Sequence, residues 1–501
     1  MIGTQAYDGH VLAPETQAFL DDTHRLLIGG TWVDGSGERE TIDPATGLVL
    51  ARFHVGGAEE VDRAVTAARA ALEGAWGRMT VADRTALMQR LARVMDRYAG
   101  LLTELDIVDN GMPRFIAGLT VTNCVEMVDY YAGAIMRIEG RTMAPPRHIA
   151  GESEALTYTL REPVGVVGQI VPWNVPLSTA ILKLAPALAA GCTVIVKPSE
   201  ETPLSALALG RMIEEAGFPA GVVNIVNGLG AEAGAELAGH PGVDKISFTG
   251  STATGRRIVQ AALGNLKKVS LELGGKSPVI VLPDADLALA VPGVALATFF
   301  LQGQNCMAGA RIFADAAIHD ALVEGVVAFA NSMRLGHGLD PATQQGPMIS
   351  TAHAAKVMAY IDGAKDAGAQ LVAGGDRLDR PGNFIRPTVF TGCTPDMAVT
   401  RDEIFGPVMA LQRVDTDDLD RLAALANDTP YGLSGSVWTR DLSSAHRLVK
   451  RIRAGHVSIN CHGAVGTNIP FGGYGQSGWG REFGDEGLNA YLETKAVTAR
   501  L

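Results

Sequence analysis

The chain has 501 residues, with 42 Lys plus Arg against 54 Asp plus Glu and a formal net charge of −12. That balance excludes the basic face a nucleic-acid partner needs. The 47% hydrophobic and 19% charged residues exclude a disordered chain and provide for a large core, divided by length into about three domains.

Residues 1–24 are polar and without clear periodicity, and read as a loose leader. Acidic Asp8, Glu15, Asp21 and Asp22 and the lack of a basic stretch before an apolar one argue against a signal peptide. From Arg25 the chain reads as short strands, with Gly29-Gly30 and Asp34-Gly35 as turns. Val61, Val65, Ala68 and Leu72 recur at helical spacing, as do apolar residues between Leu87 and Leu105. Pro145-Pro146 punctuates the next segment, and 154–160 reads as an exposed, unpaired edge strand.

Between 163 and 271 strand and helix alternate. Strands are expected at 164–171, 193–196, 222–226, 245–248 and 268–271, with helices at 177–190, from Thr202-Pro203 to Gly217, from Glu232, and from Thr254. Continuous apolar strands alternating with helices predict a parallel sheet covered on both faces, with ligands beyond the carboxyl ends of its strands. A second series follows: strand 279–282, an apolar helix at 287–301, strand 311–313 and helix 319–333. The apolar helix contains Pro292 and Gly293 and falls short of the about 20 residues a membrane span needs. Two α/β domains with a ligand between them is the natural architecture.

Several segments carry candidate chemistry. The nearest approach to a dinucleotide fingerprint, Gly228-x-Gly230-x-x-x-Gly234, is one residue too long. Gly250-Ser251-Thr-Ala-Thr-Gly255 follows a strand and opens a helix, so it can receive a pyrophosphate on backbone N–H groups; the alternative is a tight turn with no ligand. The five cysteines, Cys124, Cys192, Cys306, Cys393 and Cys461, are odd in number and form no C-x-x-C pair, which fits a reducing cytoplasm and no metal site. Cys306 lies between glycines in a polar loop after the apolar helix, as an activated nucleophile would; a buried inert thiol is the commoner fate. Asn174, between Pro172 and Pro176 at the end of the first parallel strand, can serve as an oxyanion donor or as a plain turn residue. Glu272, between Leu271 and Leu273, reads as a partly buried carboxylate of raised pKa or as a surface Glu at a strand end.

Together these residues resemble the NAD(P)-dependent aldehyde dehydrogenase superfamily, from about residue 26 to 497. The matching segments are PWN at 172–174, KPSEETP at 197–203, FTGSTATG at 248–255, LELGGKSP at 271–278, GQNCMAG at 303–309, DEIFGPV at 402–408 and PFGGYGQSGWGRE at 470–482. The resemblance implies a Rossmann-like cofactor domain at 25–140 and 161–274, an α/β catalytic domain at 275–486, and a small β oligomerisation flap at 141–160 and 487–501. It implies Cys306 as nucleophile, Glu272 as base and Asn174 as oxyanion donor. It places Trp173, Lys197, Glu200, Gly250, Ser251, Gly255, Leu273, Glu403 and Phe405 against the cofactor, NAD rather than NADP because Glu200 would repel a 2′-phosphate. Lys276 matches a position that tunes the base, and His353 stands where some relatives have a ribose-binding Gln.

The resemblance also locates a substrate tunnel at Val175, Thr179, Leu182, Asn305, Met307, Ala464 and Val465, small or aliphatic where several relatives carry aromatics. Such a channel suits a bulky or long apolar aldehyde, aromatic, terpenoid or aliphatic. The expected activity is hydrolytic oxidation of that aldehyde by a cytoplasmic homodimer or homotetramer. The rival readings are a catalytically idle structural relative and a thiol esterase that needs no cofactor.

Overall fold

A computed structural model describes residues 7, 9–150, 154–415 and 417–501. Residues 1–6 and 8 of the expected leader, and 151–153 of the expected flap, lie outside the described residues. The described residues form an eight-stranded sheet, a seven-stranded sheet and two three-stranded sheets. None of the helices among the described residues is long and apolar enough to cross a membrane.

The eight-stranded sheet runs in the order Gly478–Trp479, Lys268–Glu272, Lys245–Thr249, Val166–Ile170, Thr193–Lys197, Val223–Ile225, Leu26–Ile28, Thr31–Val33. Its five central strands are mutually parallel. They are buried on both faces, as their apolar runs require, and each fully buried aliphatic side chain contributes about 1.5–3 kcal/mol. In chain order the central strands lie 5-4-1-2-3, so the winding reverses between Val166–Ile170 and Lys245–Thr249. A crevice opens at the carboxyl ends of such a pair, and Trp173, Asn174, Gly250 and Ser251 follow those two strands directly.

Helix Pro176–Ala190 crosses under this sheet. Pro176 pre-sets its first turn, and Gly191, at φ 93°, closes it in a left-handed conformation that L side chains resist. Helix Leu204–Ala216 ends on Gly217 in the same way. The seven-stranded sheet contains six parallel strands, with Pro278–Val281, Arg311–Asp315, Val408–Val414 and Ser434–Trp438 toward its centre.

Three expectations are corrected. The leader is partly a helix, Pro14–Leu20, with Thr16, Phe19 and Leu20 buried and the Ala13 N–H donating to Glu104 at 2.9 Å; its length, under two turns, hides the period. The strand expected as an unpaired edge, Ala155–Pro163, is the central strand of a three-stranded sheet. It pairs along its length with Leu492–Arg500 and at its middle with Thr142–Met143. Those partners lie far off in sequence or are too short to see. The apolar helix ends at Phe299 rather than 301, because Leu301 and Gln302 adopt left-handed conformations at φ 54° and 58°.

Candidate active site

Asn174 is fixed from two sides. Asn110, the last residue of helix Ala99–Asn110, donates its amide to the carbonyls of Trp173 (2.7 Å) and Asn174 (3.3 Å). The Asn174 side chain is buried and its Nδ2 donates to the Gln304 carbonyl at 3.0 Å. One Nδ2 proton is thereby committed, and the other remains for a ligand oxygen. Gln304 is itself pinned, its Oε1 accepting from the Ile349 N–H at 2.9 Å.

The loop carrying Cys306 starts with three successive left-handed residues. Leu301 and Gln302 are non-glycine and strained, at about 1–3 kcal/mol each. Gln302 Nε2 holds the turn by donating to the Gly111 carbonyl at 2.9 Å. Gly303 is required, since a Cβ there would lie 2.2 Å from the Gly406 carbonyl. The loop closes where Gly309 N–H donates to Ala297 (2.8 Å) and Thr298 Oγ1 to the Gly309 carbonyl (2.7 Å). Cys306 as a residue is half-buried. Burial of its surroundings pushes the thiol up to about 12, and the carboxylates of Glu403 and Glu272 push the same way.

Glu272 ends its strand buried, with neither carboxylate oxygen hydrogen-bonded among the described residues. Burial, then the charge of Glu482, raises its pKa well above the usual carboxylate range; Lys183 and Arg481 oppose this. Lys183 and Glu482 form a buried ion pair, and Lys183 also donates to Ser247 Oγ at 3.1 Å. Sequence reasoning missed this pair. The signal was a lone charge, Lys183, in the otherwise apolar helix, which requires a buried counter-charge. Lys276 is buried in the loop after Glu272. Its charged neighbours are Arg311, Glu403 and Asp402, its ammonium has no hydrogen-bond partner among the described residues, and burial draws its pKa down to about 7.

The expected cofactor residues are each fixed by contacts of their own. Lys197 Nζ donates to Glu200 at 3.1 Å, and Glu200 accepts the Gly230 N–H at 3.3 Å. Burial lowers the Lys197 pKa; at Glu200 burial is outweighed by Lys197 and the carboxyl stays below its usual range. Ser251 caps helix Thr252–Ala262, accepting from the Thr254 N–H at 3.2 Å. A Cβ on Gly250 would meet the Phe248 ring at 2.6 Å, and one on Gly255 would meet Leu273 at 2.7 Å, so that helix stands close on the sheet. Glu403 accepts the Gly275 N–H at 3.0 Å, which ties it to the loop after Glu272, and burial raises its pKa. Trp173 packs edge-on against His353 and Phe405, with both ring centroids at 5.3 Å. His353 Nε2 lies 2.7 Å from the Phe405 carbonyl and steadies Phe405 at φ 60°.

Of the expected tunnel residues, Thr179 is buried, Val175 and Leu182 are half-buried against the main core, and Asn305 and Met307 flank Cys306. Ala464 and Val465 sit in an exposed loop whose Gly463 approaches the Met307 methyl.

The aldehyde dehydrogenase family profile matches residues 32–497. Human mitochondrial aldehyde dehydrogenase is 43% identical over 485 residues, covering 95% of this chain and 92% of its own. The solved NAD+ complex of aldehyde dehydrogenase from Bacillus cereus superposes with a TM-score of 0.95 at 41% identity, covering 98% of this chain and 99% of that one. Betaine aldehyde dehydrogenase from Staphylococcus aureus, solved with NAD+, superposes at 0.93 and 37% identity, over 97% and 96% of the two chains. The chain belongs to the aldehyde dehydrogenase family, whose members are oxidoreductases acting on aldehydes.

Proposed function

We propose that the protein oxidises an uncharged, bulky or long apolar aldehyde to the free acid with NAD+, by covalent catalysis at Cys306. The observation that carries this is the convergence of the Asn174 amide and the Gln304–Gly309 loop, tied at 3.0 Å, with the unpartnered Glu272 carboxylate, which acts electrostatically on Cys306. The residues present fit NAD+. A capped helix with no acidic residue in its first turn, the buried unpartnered Thr249 hydroxyl at the adjacent strand end, and the Lys197–Glu200 pair offer places for pyrophosphate and ribose. Bound NAD+ supplies the two-electron acceptor for the hydride of the aldehyde carbon.

The chain's own residues do the rest. Cys306 gives its proton to solvent water, its sulfur bonds to the aldehyde carbon, and the C=O π pair moves onto the oxygen. The free Nδ2 proton of Asn174 holds the resulting oxyanion, and removing one such donor costs about 2.7–4 kcal/mol in other enzymes. After oxidation the carbon is held as a thioester. Glu272 then takes a proton from water, the hydroxide adds to the acyl carbon, and the C–S bond breaks to return the thiol and release the acid. Glu272 favours this hydrolytic outcome over acyl transfer.

A panel of aldehydes assayed with NAD+ and NADP+ tests substrate and cofactor together. The highest kcat/KM is expected for aromatic, terpenoid or long aliphatic aldehydes with NAD+; a preference for short charged aldehydes, or for NADP+, overturns the corresponding part. We also propose a homodimer or homotetramer assembled through the sheet of Ala155–Pro163 and Leu492–Arg500, which brings the two expected flap segments together. Light scattering should give a multiple of 52.5 kDa; the mass of a single chain contradicts it. The five free cysteines agree with a cytoplasmic location.

A further inference from the structure

His462 lies between the loop bearing the nucleophile and the exposed loop bearing Val465. Its Nε2 is 2.8 Å from the Met307 carbonyl, the residue after Cys306, and its Nδ1 is 2.9 Å from Ser436 Oγ. A carbonyl accepts only, so Nε2 carries the proton and Nδ1 is the acceptor. The Ser436 hydroxyl can donate to Nδ1 because its oxygen separately accepts the Trp438 indole N–H at 3.3 Å. Ser436 belongs to strand Ser434–Trp438, bonded on both sides within the seven-stranded sheet, and is itself fully buried.

The chain two residues before the histidine is also held. Asn460 clamps both backbone groups of Thr439, accepting from its N–H and donating to its carbonyl at 2.9 Å each. At the other end, a Cβ on Gly309 would lie 3.0 Å from His462 Cε1, so the ring packs on the exit of the nucleophile loop. Burial lowers the imidazole pKa to about 4, which keeps it neutral, as a single fixed tautomer requires.

We propose that His462 is a positioning residue for Cys306: the neutral Nε2–H tautomer, oriented by Ser436, fixes the Met307 carbonyl and couples the nucleophile loop to the loop that carries Val465. This rests on Cys306 being the nucleophile. A rigid bridge from a sheet strand explains how a loop that begins with three left-handed residues presents its sulfur in one place. A misplacement of about 1 Å costs an enzyme up to about 10²-fold.

The test compares His462→Phe and His462→Gln with the wild type. Three quantities are read: kcat, KM for NAD+, and the rate of Cys306 alkylation by iodoacetamide, followed on the Cys306 peptide by mass spectrometry. His462→Phe removes the donor while keeping a ring. It is expected to lower kcat about tenfold and change the alkylation rate, with KM for NAD+ unchanged. His462→Gln, whose amide can donate to Met307, is expected to recover most of kcat. Wild-type kcat and alkylation in His462→Phe, or His462→Gln no better than His462→Phe, overturns the proposal. Should His462→Phe fail to fold, Ser436→Ala releases the tautomer and should lower kcat in the same direction; no change there overturns it equally. A failure of the nucleophile reading looks different, as turnover that survives Cys306→Ala.

Discussion

Cys306→Ala is expected to lower aldehyde turnover by about a thousand-fold or more while NAD+ binding persists. The loop geometry does not depend on the sulfur. Gln302 to Gly111, Asn174 to Gln304 and Gly309 to Ala297 all bond through groups that the substitution leaves in place. The proposed cofactor residues have bonds that do not involve Cys306, as Lys197 has to Glu200 and Glu403 to Gly275. The loss should therefore fall on kcat, and calorimetric titration with NAD+ should give an affinity near that of the wild type. Turnover in the substituted protein, or loss of NAD+ binding with it, contradicts the assignment. Because burial holds the thiol near 12, alkylation of Cys306 in the protein alone should be slow at neutral pH and should rise with pH. A cofactor whose cationic ring lay beside the sulfur would accelerate it.

Glu272→Gln is the second large effect. The amide keeps shape and volume but cannot take a proton from water, so kcat should fall about 10²–10⁴-fold. The sign of the pH dependence follows from the raised pKa. Glu272 works as a base only as the carboxylate, and burial together with Glu482 favours the neutral acid. Where thioester hydrolysis limits the rate, kcat should climb as pH rises through that elevated pKa, and the Gln variant should lose this limb. The buried Lys183–Glu482 pair holds the second carboxylate beside Glu272, so Glu482→Gln should move the limb to lower pH. A kcat profile identical in Glu272→Gln and wild type counts against the role of this residue.

Much of this was legible in the sequence because strand ends carry the chemistry. Apolar runs and glycine stops located the five parallel strands and, with them, the positions of Asn174, Gly250 and Glu272 at their carboxyl ends. What stayed hidden depends on contacts between distant residues. Lys183 finds Glu482 and His462 finds Met307 across loops that no local period links. Ala155–Pro163 read as an edge because its partner Leu492–Arg500 comes at the end of the chain. The thiol's pKa followed from burial and two carboxylates, not from the small polar neighbours visible around Cys306. Lys276 is near Glu272 in sequence, yet the charges that act on it most, Arg311 and Glu403, come from distant segments.

In the proposed mechanism a thioester forms on Cys306 only when NAD+ is present. Glu272→Gln, mixed with a bulky apolar aldehyde and NAD+ and quenched in acid, should gain the mass of the aldehyde less one hydride and one proton. Proteolysis should place that gain on the peptide containing Cys306, and omission of NAD+ should abolish it. Reduced nicotinamide formed with no adduct on Cys306, or an equal adduct without NAD+, would contradict the account.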